Sequence, residues 1–263
     1  MAESRWRKLS DGRKLVCDII HLAKKVPLAG SGAELDVREL AEVRKLVRPR
    51  IAWNVLLMKA YAQVAIARPE LRQLYVRWPW PHVYQHPQNV CLMTFSREYK
   101  GEDRLFFGRF NEPEEETLLE LQKRYDEYRD GPVESVKQFR HQIRFAKAPL
   151  ILRRMAWFLM RDVWVRKAAS HMGTFGMSIS CFREAYGTSL VSPNTTSLGV
   201  DVISKGGISN TLLTFDHRIL DAQTVISIFQ ELGRQLRGPI LEELRAMVPT
   251  EQGESAVQEK HAA

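Results

Sequence analysis

Thr211-Leu-Leu-Thr-Phe-Asp-His-Arg-Ile-Leu-Asp-Ala-Gln223 is the stretch on which the reading of this chain turns. An apolar, β-branched run ends in Asp216-His217-Arg218. Asp221 follows four residues after the histidine, immediately ahead of a helical pattern. A histidine at the end of a buried strand is held rigidly, with one ring nitrogen facing a cleft and the other fixed by a local hydrogen bond. General-base chemistry needs that arrangement, because it requires a defined tautomer and a pKa near the working pH. A structural reading stands beside it. Asp221 occupies a helix N-cap position and can accept the first N–H groups of the following helix, and Arg218 can pair with Asp216 or Asp221. Spacing alone leaves both readings open.

Outward from this segment, the pattern is of interleaved helices and strands. Helical periodicity covers Asp11 to Val26 and stops at Pro27. Ala29-Gly-Ser-Gly-Ala33 reads as a turn and Glu34–Val37 as a short strand. Helices are predicted over Val37–Val47 and Ala52–Ala67, the second apolar almost all round and therefore buried. Short β-rich runs follow at Leu74–Trp78, His82–Gln85, Val90–Phe95 and Arg104–Phe107. A helix is predicted from Asn111 to Tyr128, and a long helical region from Val133 to Ser170 with a kink at Pro149. Strands return at Phe175–Cys181, Thr196–Ile203 and Ile208–Phe215, ahead of a last helix over Ala222–Leu236 and a polar tail after Gly238. The expectation is one α/β domain in which helices cover a mixed sheet.

Composition excludes several classes. The chain has 263 residues, 44% hydrophobic and 27% charged, which is the profile of a globular protein and not of a disordered or collagen-like one. With three cysteines (Cys17, Cys91, Cys181) and no C-x-x-C, neither a disulfide framework nor a cysteine zinc site is expected, and a reducing cytoplasm is. No apolar N-terminal stretch of signal-peptide length occurs, and the apolar run Pro149–Met160 is too short and too charged to span a bilayer. The net charge of +8 suits an acidic partner: a phosphorylated cofactor, an anionic membrane surface or nucleic acid. No nucleotide-binding glycine motif and no nucleic-acid-binding module is present, so nucleic acid is not expected.

The D-H-R-x-x-D segment resembles the signature of the acyltransferase catalytic domain of 2-oxoacid dehydrogenase complexes, and the related histidine motif of chloramphenicol acetyltransferase. The resemblance extends in order along residues 13 to 237. It includes Glu34–Arg44, Asn54–Ala62, Arg68-Pro-Glu-Leu-Arg72, Thr117–Gln122, Phe175-Gly-Met-Ser-Ile-Ser180 and Ser197-Leu-Gly-Val200. It implies a chloramphenicol-acetyltransferase-like two-layer α/β sandwich, with an N-terminal arm over 1–12, the catalytic domain over 13–238 and a tail over 239–263. His217 matches the general base and Ser180 the hydroxyl that stabilises the tetrahedral oxyanion. Asp221 matches the acidic or amide position that orders the site, with Asp216 and Arg218 in structural support. Coenzyme A, as acyl-CoA, is the implied acyl donor; no metal and no covalently bound lipoate are implied. The resemblance further implies a homotrimer or higher assembly, in which the His217 side and the Ser180 side of each site come from different chains.

Departures from the family pattern bear on the acceptor. The glycine after the family's Asp/Asn is Ala222 here, and the glycine-rich turn after its strand is replaced by Cys181-Phe-Arg-Glu-Ala-Tyr186, with Gly187-Thr188 kept. Cys181 is a candidate nucleophile or, more simply, a small core residue. The family's lipoyl and subunit-binding domains have no counterpart ahead of residue 13. The expectation is an acceptor hydroxyl, amine or thiol, with two alternatives: a lipoyl domain supplied in trans, or a non-catalytic trimeric scaffold.

Two further features remain. From His141 to Ser170 there are seven Lys/Arg (144, 147, 153, 154, 161, 166, 167) and one acid, Asp162, interleaved with large apolar residues. A solvated face over a buried face is one reading; an interfacial helix touching anionic lipid, hence a membrane-associated cytoplasmic protein, is the other. Trp78-Pro-Trp-Pro-His82 reads as an ordered turn or an aromatic acceptor wall. The flanking prolines keep His82 and His86 from forming a helical metal pair.

Overall fold

The computed structural model describes residue 6 and residues 8–179, 192–200, 203 and 206–249. Its centre is a six-stranded mixed sheet in the order β1-β8-β7-β6-β4-β5. The strands are β1 (Leu28–Asp36), β4 (Val90–Tyr99), β5 (Glu102–Asn111), β6 (Phe175–Ile179), β7 (Thr196–Val200) and β8 (Ile208–Asp216). β4, β6 and β7 run parallel, while the β1–β8, β7–β8 and β4–β5 pairs are antiparallel. A separate hairpin joins β2 (Gln73–Val76) to β3 (His82–Gln85). Lys100 and Gly101, with φ of 55° and 74°, close the β4–β5 hairpin, the left-handed pair that matches strand twist.

One face of the sheet carries the core. The helix α3 (Trp53–Ala67) is enclosed from Val55 to Ala62, as its all-round apolar sequence requires. It packs on α4 (Leu118–Asp130) and α8 (Ala222–Arg237), with α2 (Arg38–Leu46) and α9 (Pro239–Ala246) beside them. The one cation on the buried stretch of α3, Lys59, donates to the Glu116 carbonyl at 2.7 Å and pairs with Glu243 at 2.6 Å. Glu243 also accepts the Leu118 N–H at 2.8 Å. That carboxylate therefore ties α9 to the first turn of α4. The polar tail expected from residue 239 begins instead as this helix, with Ile240, Leu241 and Leu244 buried.

Other boundaries shift for local reasons. Gly30 and Gly32, read as a turn, lie within nine consecutive β1–β8 pairings, so tertiary pairing overrides their turn preference. The helix expected from Asn111 starts only at Leu118. Thr117 and Glu120 form a capping box there, and the acidic run before it stays outside the helix. The long region 133–170 divides into α5 (Lys137–Lys147), α6 (Leu150–Phe158), a π-turn over Leu159–Val163 and α7 (Val165–Met172).

At the β5 edge, α5 supplies the hydrogen bonds a neighbouring strand would make. Gln142 accepts the Phe107 N–H at 3.0 Å and returns its amide to the Phe107 carbonyl at 2.7 Å; Gln138 accepts the Arg109 N–H at 2.9 Å. The first helix, α1 (Asp11–Ala23), packs against α5 and α6. Its Asp18 is fully buried against Arg153 of α6 at 2.7 Å. The expected arrangement of region 144–167, with its basic face in solvent and its apolar face inside, is thus inverted over α6. The cation points in, and Leu150, Ile151, Leu152, Met155 and Phe158 are exposed.

Candidate active site

His217 is presented by the end of β8. Its backbone N–H donates to the Pro27 carbonyl at 3.1 Å, just ahead of β1, and the Asp216 N–H donates to the Thr195 carbonyl at 2.8 Å, just ahead of β7. Neighbouring chain on both sides thus fixes the peptide that carries the imidazole. The next turn is clamped by side chains. Asp216, almost wholly buried, accepts Arg218 through both carboxylate oxygens, at 2.8 and 2.6 Å, and also accepts the Arg218 backbone N–H at 3.0 Å. The Arg218 guanidinium lies 3.9 Å above the Tyr75 ring of β2, and Thr195 donates its hydroxyl to the Gln73 carbonyl. The small hairpin is thereby locked to the strand end.

Of the two structural options for Arg218, the pair with Asp216 is the one formed. The buried forked pair leaves His217 outside it. The ring rests edge-on against Phe215, with centroids 5.6 Å apart, and is 54% exposed. Its Nδ1 is 3.8 Å from Asp221, whose side chain is 84% exposed. Asp221 stands at the N-cap position of α8, yet its side chain makes no capping hydrogen bond. The capping role open to it in the sequence is therefore not taken, and its carboxylate lies on the Nδ1 side of the ring. At that distance no hydrogen bond joins them, and the ring stays more than half exposed, open to an incoming acceptor as a general base requires. Ala222 is the first helical residue of α8, so the missing glycine imposes no backbone strain.

Ser180 and Cys181 lie outside the described residues, but Ser180 is bonded to Ile179, the last residue of β6. The register places Ile179 opposite Val200 and Val200 opposite Thr211, whereas Phe175, Thr196 and Phe215 align near His217. The end of β6 and the end of β8 are therefore at opposite ends of the sheet. Six residues of strand from Thr211 to His217 and two strand spacings separate Ile179 from His217 by about 20 Å or more.

The Ile179 end has a feature that sequence reading did not single out. A cleft of about 430 Å³ is lined by Arg38, Glu42, Arg44, Lys45, Arg50 and Trp53, with Ile203, Gly206 and Gly207 from the β7–β8 connection. Gly207 has φ of 73°, and a Cβ there would lie 2.6 Å from the Arg38 Cα, so only glycine fits. Arg38 pairs with Asp36 at 2.6 Å and Lys45 with Glu42 at 2.6 Å. Arg44 and Arg50 have no carboxylate partner among the described residues. The Arg44 guanidinium stacks 4.9 Å from the Trp53 ring centre, and its Nε donates to the Ile51 carbonyl. Burial, and then the nearby positive charge of Arg50, push its pKa down to about 10. Two uncompensated guanidinium groups beside an indole form an anion-receiving surface. The signal in the sequence was Arg48-Pro-Arg50 running into Trp53.

His82 and the aromatic run belong to the β2–β3 hairpin, and His86 follows it. His86 is buried between the Gln88 carbonyl and the Ser170 hydroxyl. His82 contacts the Trp80 carbonyl in an exposed loop that also exposes Trp78. No group of three metal-ligating side chains gathers among the described residues.

No protein-family model matches the chain, and no curated protein matches it in sequence. Solved structures do match in shape. The truncated catalytic core of the 2-oxoacid dehydrogenase multienzyme complex of Thermoplasma acidophilum superposes with a TM-score of 0.65 at 13% identity, covering 90% of this chain and 99% of that one. A dihydrolipoamide acetyltransferase of Azotobacter vinelandii gives 0.63 at 16% identity, covering 91% and 94%. That enzyme was studied for the role of a serine, a histidine and an asparagine in its catalytic mechanism, the last two four residues apart. The cubic core of a pyruvate dehydrogenase multienzyme complex gives 0.59 at 16% identity, again covering 91% and 94%. The two-layer α/β architecture of this chain is the fold of the dihydrolipoamide acyltransferase catalytic cores.

Proposed function

We propose that the protein is an acyltransferase that moves an acyl group from acyl-CoA to a thiol, hydroxyl or amine acceptor. The observation that carries this reading is the presentation of His217: a solvent-facing imidazole at a strand end clamped by Asp216 and Arg218, with Asp221 on its Nδ1 side. The spacing from His217 to Asp221 equals that of the histidine and asparagine studied in the Azotobacter vinelandii enzyme. In the proposed reaction His217 Nε2 takes the proton of the acceptor as that atom attacks the thioester carbonyl. The Ser180 hydroxyl of a neighbouring chain donates to the oxyanion. Collapse of the tetrahedral intermediate breaks the C–S bond, and the imidazolium returns its proton to the CoA thiolate. Base catalysis of this kind contributes about 10²–10⁴-fold, and one oxyanion donor about 10²–10³-fold.

The basic cleft supports CoA as the donor. Its Arg44 and Arg50 would hold phosphates of a nucleotide-bearing thioester, at the sheet end from which Ser180 follows. Exchanging Arg50 for Glu is expected to raise KM for acetyl-CoA about tenfold or more while kcat stays near the native value, because the charge acts on binding in ground and transition states alike. An unchanged KM would remove the cleft from the donor site.

The opposed strand ends make a composite site testable. His217→Ala and Ser180→Ala variants, each inactive alone, are to be unfolded together and reassembled in equal amounts. Each site takes its histidine from one chain and its serine from the next, so random mixing regenerates about one quarter of native activity. Acetyl transfer from acetyl-CoA to dihydrolipoamide, an alcohol and an amine reads the result, and dihydrolipoamide also tests a lipoyl acceptor supplied in trans. No recovery in the mixture, with both variants folded and assembled, would exclude a site shared between chains.

A further inference from the structure

We propose that α6 and the π-turn after it form a docking surface for an anionic phospholipid bilayer. In a surface helix the apolar stripe ordinarily faces inward; here the polarity is reversed. Arg153 points into the protein, held by Asp18 at 2.7 Å and by the Ala148 carbonyl at 2.8 Å. Arg161 is likewise turned in, donating to the Pro193 carbonyl at 2.8 Å. With both cations committed inward, Leu150, Ile151, Leu152, Met155, Phe158 and Trp164 stand exposed, Ile151 to 80%. Neighbouring large apolar side chains exposed on one ridge mark an interaction surface and not ordinary scatter.

Charge around the ridge selects the partner. From Lys137 to Met172 the sequence holds nine Lys/Arg and one acid, Asp162. Arg144, Lys147, Arg166 and Lys167 are exposed along the flanks, and Lys24 and Lys25 follow α1, which packs against α6. The Lys167 ammonium lies 5.0 Å from the centre of the Trp164 ring. An indole beside a cation, next to exposed aliphatic side chains, suits the boundary between acyl chains and headgroups. A second copy laid ridge to ridge would bring the same cations face to face, whereas anionic headgroups neutralise them; a head-to-tail contact between copies is the competing occupant, which the test below separates by sedimenting mass. No helix among the described residues is long and apolar enough to cross a membrane, so the contact is with the surface of the bilayer. Arg161 reaches the Pro193 carbonyl, two residues ahead of Thr195, whose own carbonyl accepts the Asp216 N–H, which sets the ridge beside the His217 end of the sheet. The proposal does not depend on the acyltransferase reading.

The test is flotation of the full chain with vesicles of phosphatidylcholine alone, or with about a quarter of phosphatidylglycerol. The native chain is expected to float with the anionic vesicles and to remain in the dense layer with the neutral ones. The double variant Ile151→Glu/Met155→Glu changes two side chains already in solvent, so it folds as before. Its vesicle-bound fraction is expected to fall at least about tenfold. A native chain that stays in the dense layer with anionic vesicles overturns the proposal, as does a double variant that floats equally well. So does a variant whose sedimenting mass drops while the native chain ignores vesicles, a result that assigns the ridge to a contact between copies.

Discussion

If His217 is the proposed general base, His217→Ala is expected to lower acyl transfer by about 10²–10⁴-fold and to leave the fold in place. The size of the effect follows from the role: without the imidazole, the acceptor must lose its proton to water as it attacks. The survival of the fold follows from the surroundings. More than half of the side chain is in solvent, its ring meets Phe215 only edge-on, and the Asp216–Arg218 clamp does not involve it. Stability should therefore stay within about 1 kcal/mol of the native value. The measurement is CoA release from acetyl-CoA against the acceptor panel, beside a urea denaturation curve. A folded variant that keeps about one third or more of the native rate would take general-base catalysis from His217. A native chain that transfers to none of the acceptors would favour the scaffold reading.

Asp18→Asn is expected to destabilise the fold by about 3–5 kcal/mol, the usual consequence of stripping one partner from a buried ion pair. Asp18 is fully enclosed, Arg153 nearly so, and Arg154 approaches the same carboxylate at 3.9 Å. Neutralising Asp18 leaves the Arg153 guanidinium inside the protein with two neutral acceptors, the Ala148 carbonyl and the new amide oxygen, in place of a carboxylate. The urea midpoint should fall with little change in the denaturant slope. Replacing both partners, Asp18→Leu with Arg153→Met, should recover most of the loss, because buried pairs exchange for apolar packing at little net change. A shift below about 1 kcal/mol in the single variant would mean that α6 is held by something other than this pair.

The legible part of the fold was wherever local chemistry and tertiary context agree. The run from Thr211 to Gln223 did become a strand, a turn and a helix, and α3 was buried as its composition demands. Gly30 and Gly32 misled because two glycines around a serine are the usual chemistry of a turn, and only the partner strand β8, distant in sequence, makes them extended. Pro239 misled in another way. A polar tail was expected after Gly238, whereas Pro239 opens α9, whose worth depends on Glu243 finding Lys59 on a helix nearly two hundred residues earlier. The side of α6 that faces inward was equally out of reach, since periodicity marks an apolar stripe but cannot show that a carboxylate on α1 draws Arg153 away from solvent. At the site, residue types and spacing pointed to His217 and Asp221. The distance between His217 and the end of β6 is a property of strand order, which no short motif encodes.

Gln142 gives one side chain the work of a missing neighbour: its amide answers both the donor and the acceptor of Phe107 at the outer strand. An open backbone margin invites foreign chains to extend it. The glutamine therefore guards solubility, and sequence drift at that position would show itself first in crowded or half-folded chains that stick to one another, well before any loss of chemistry.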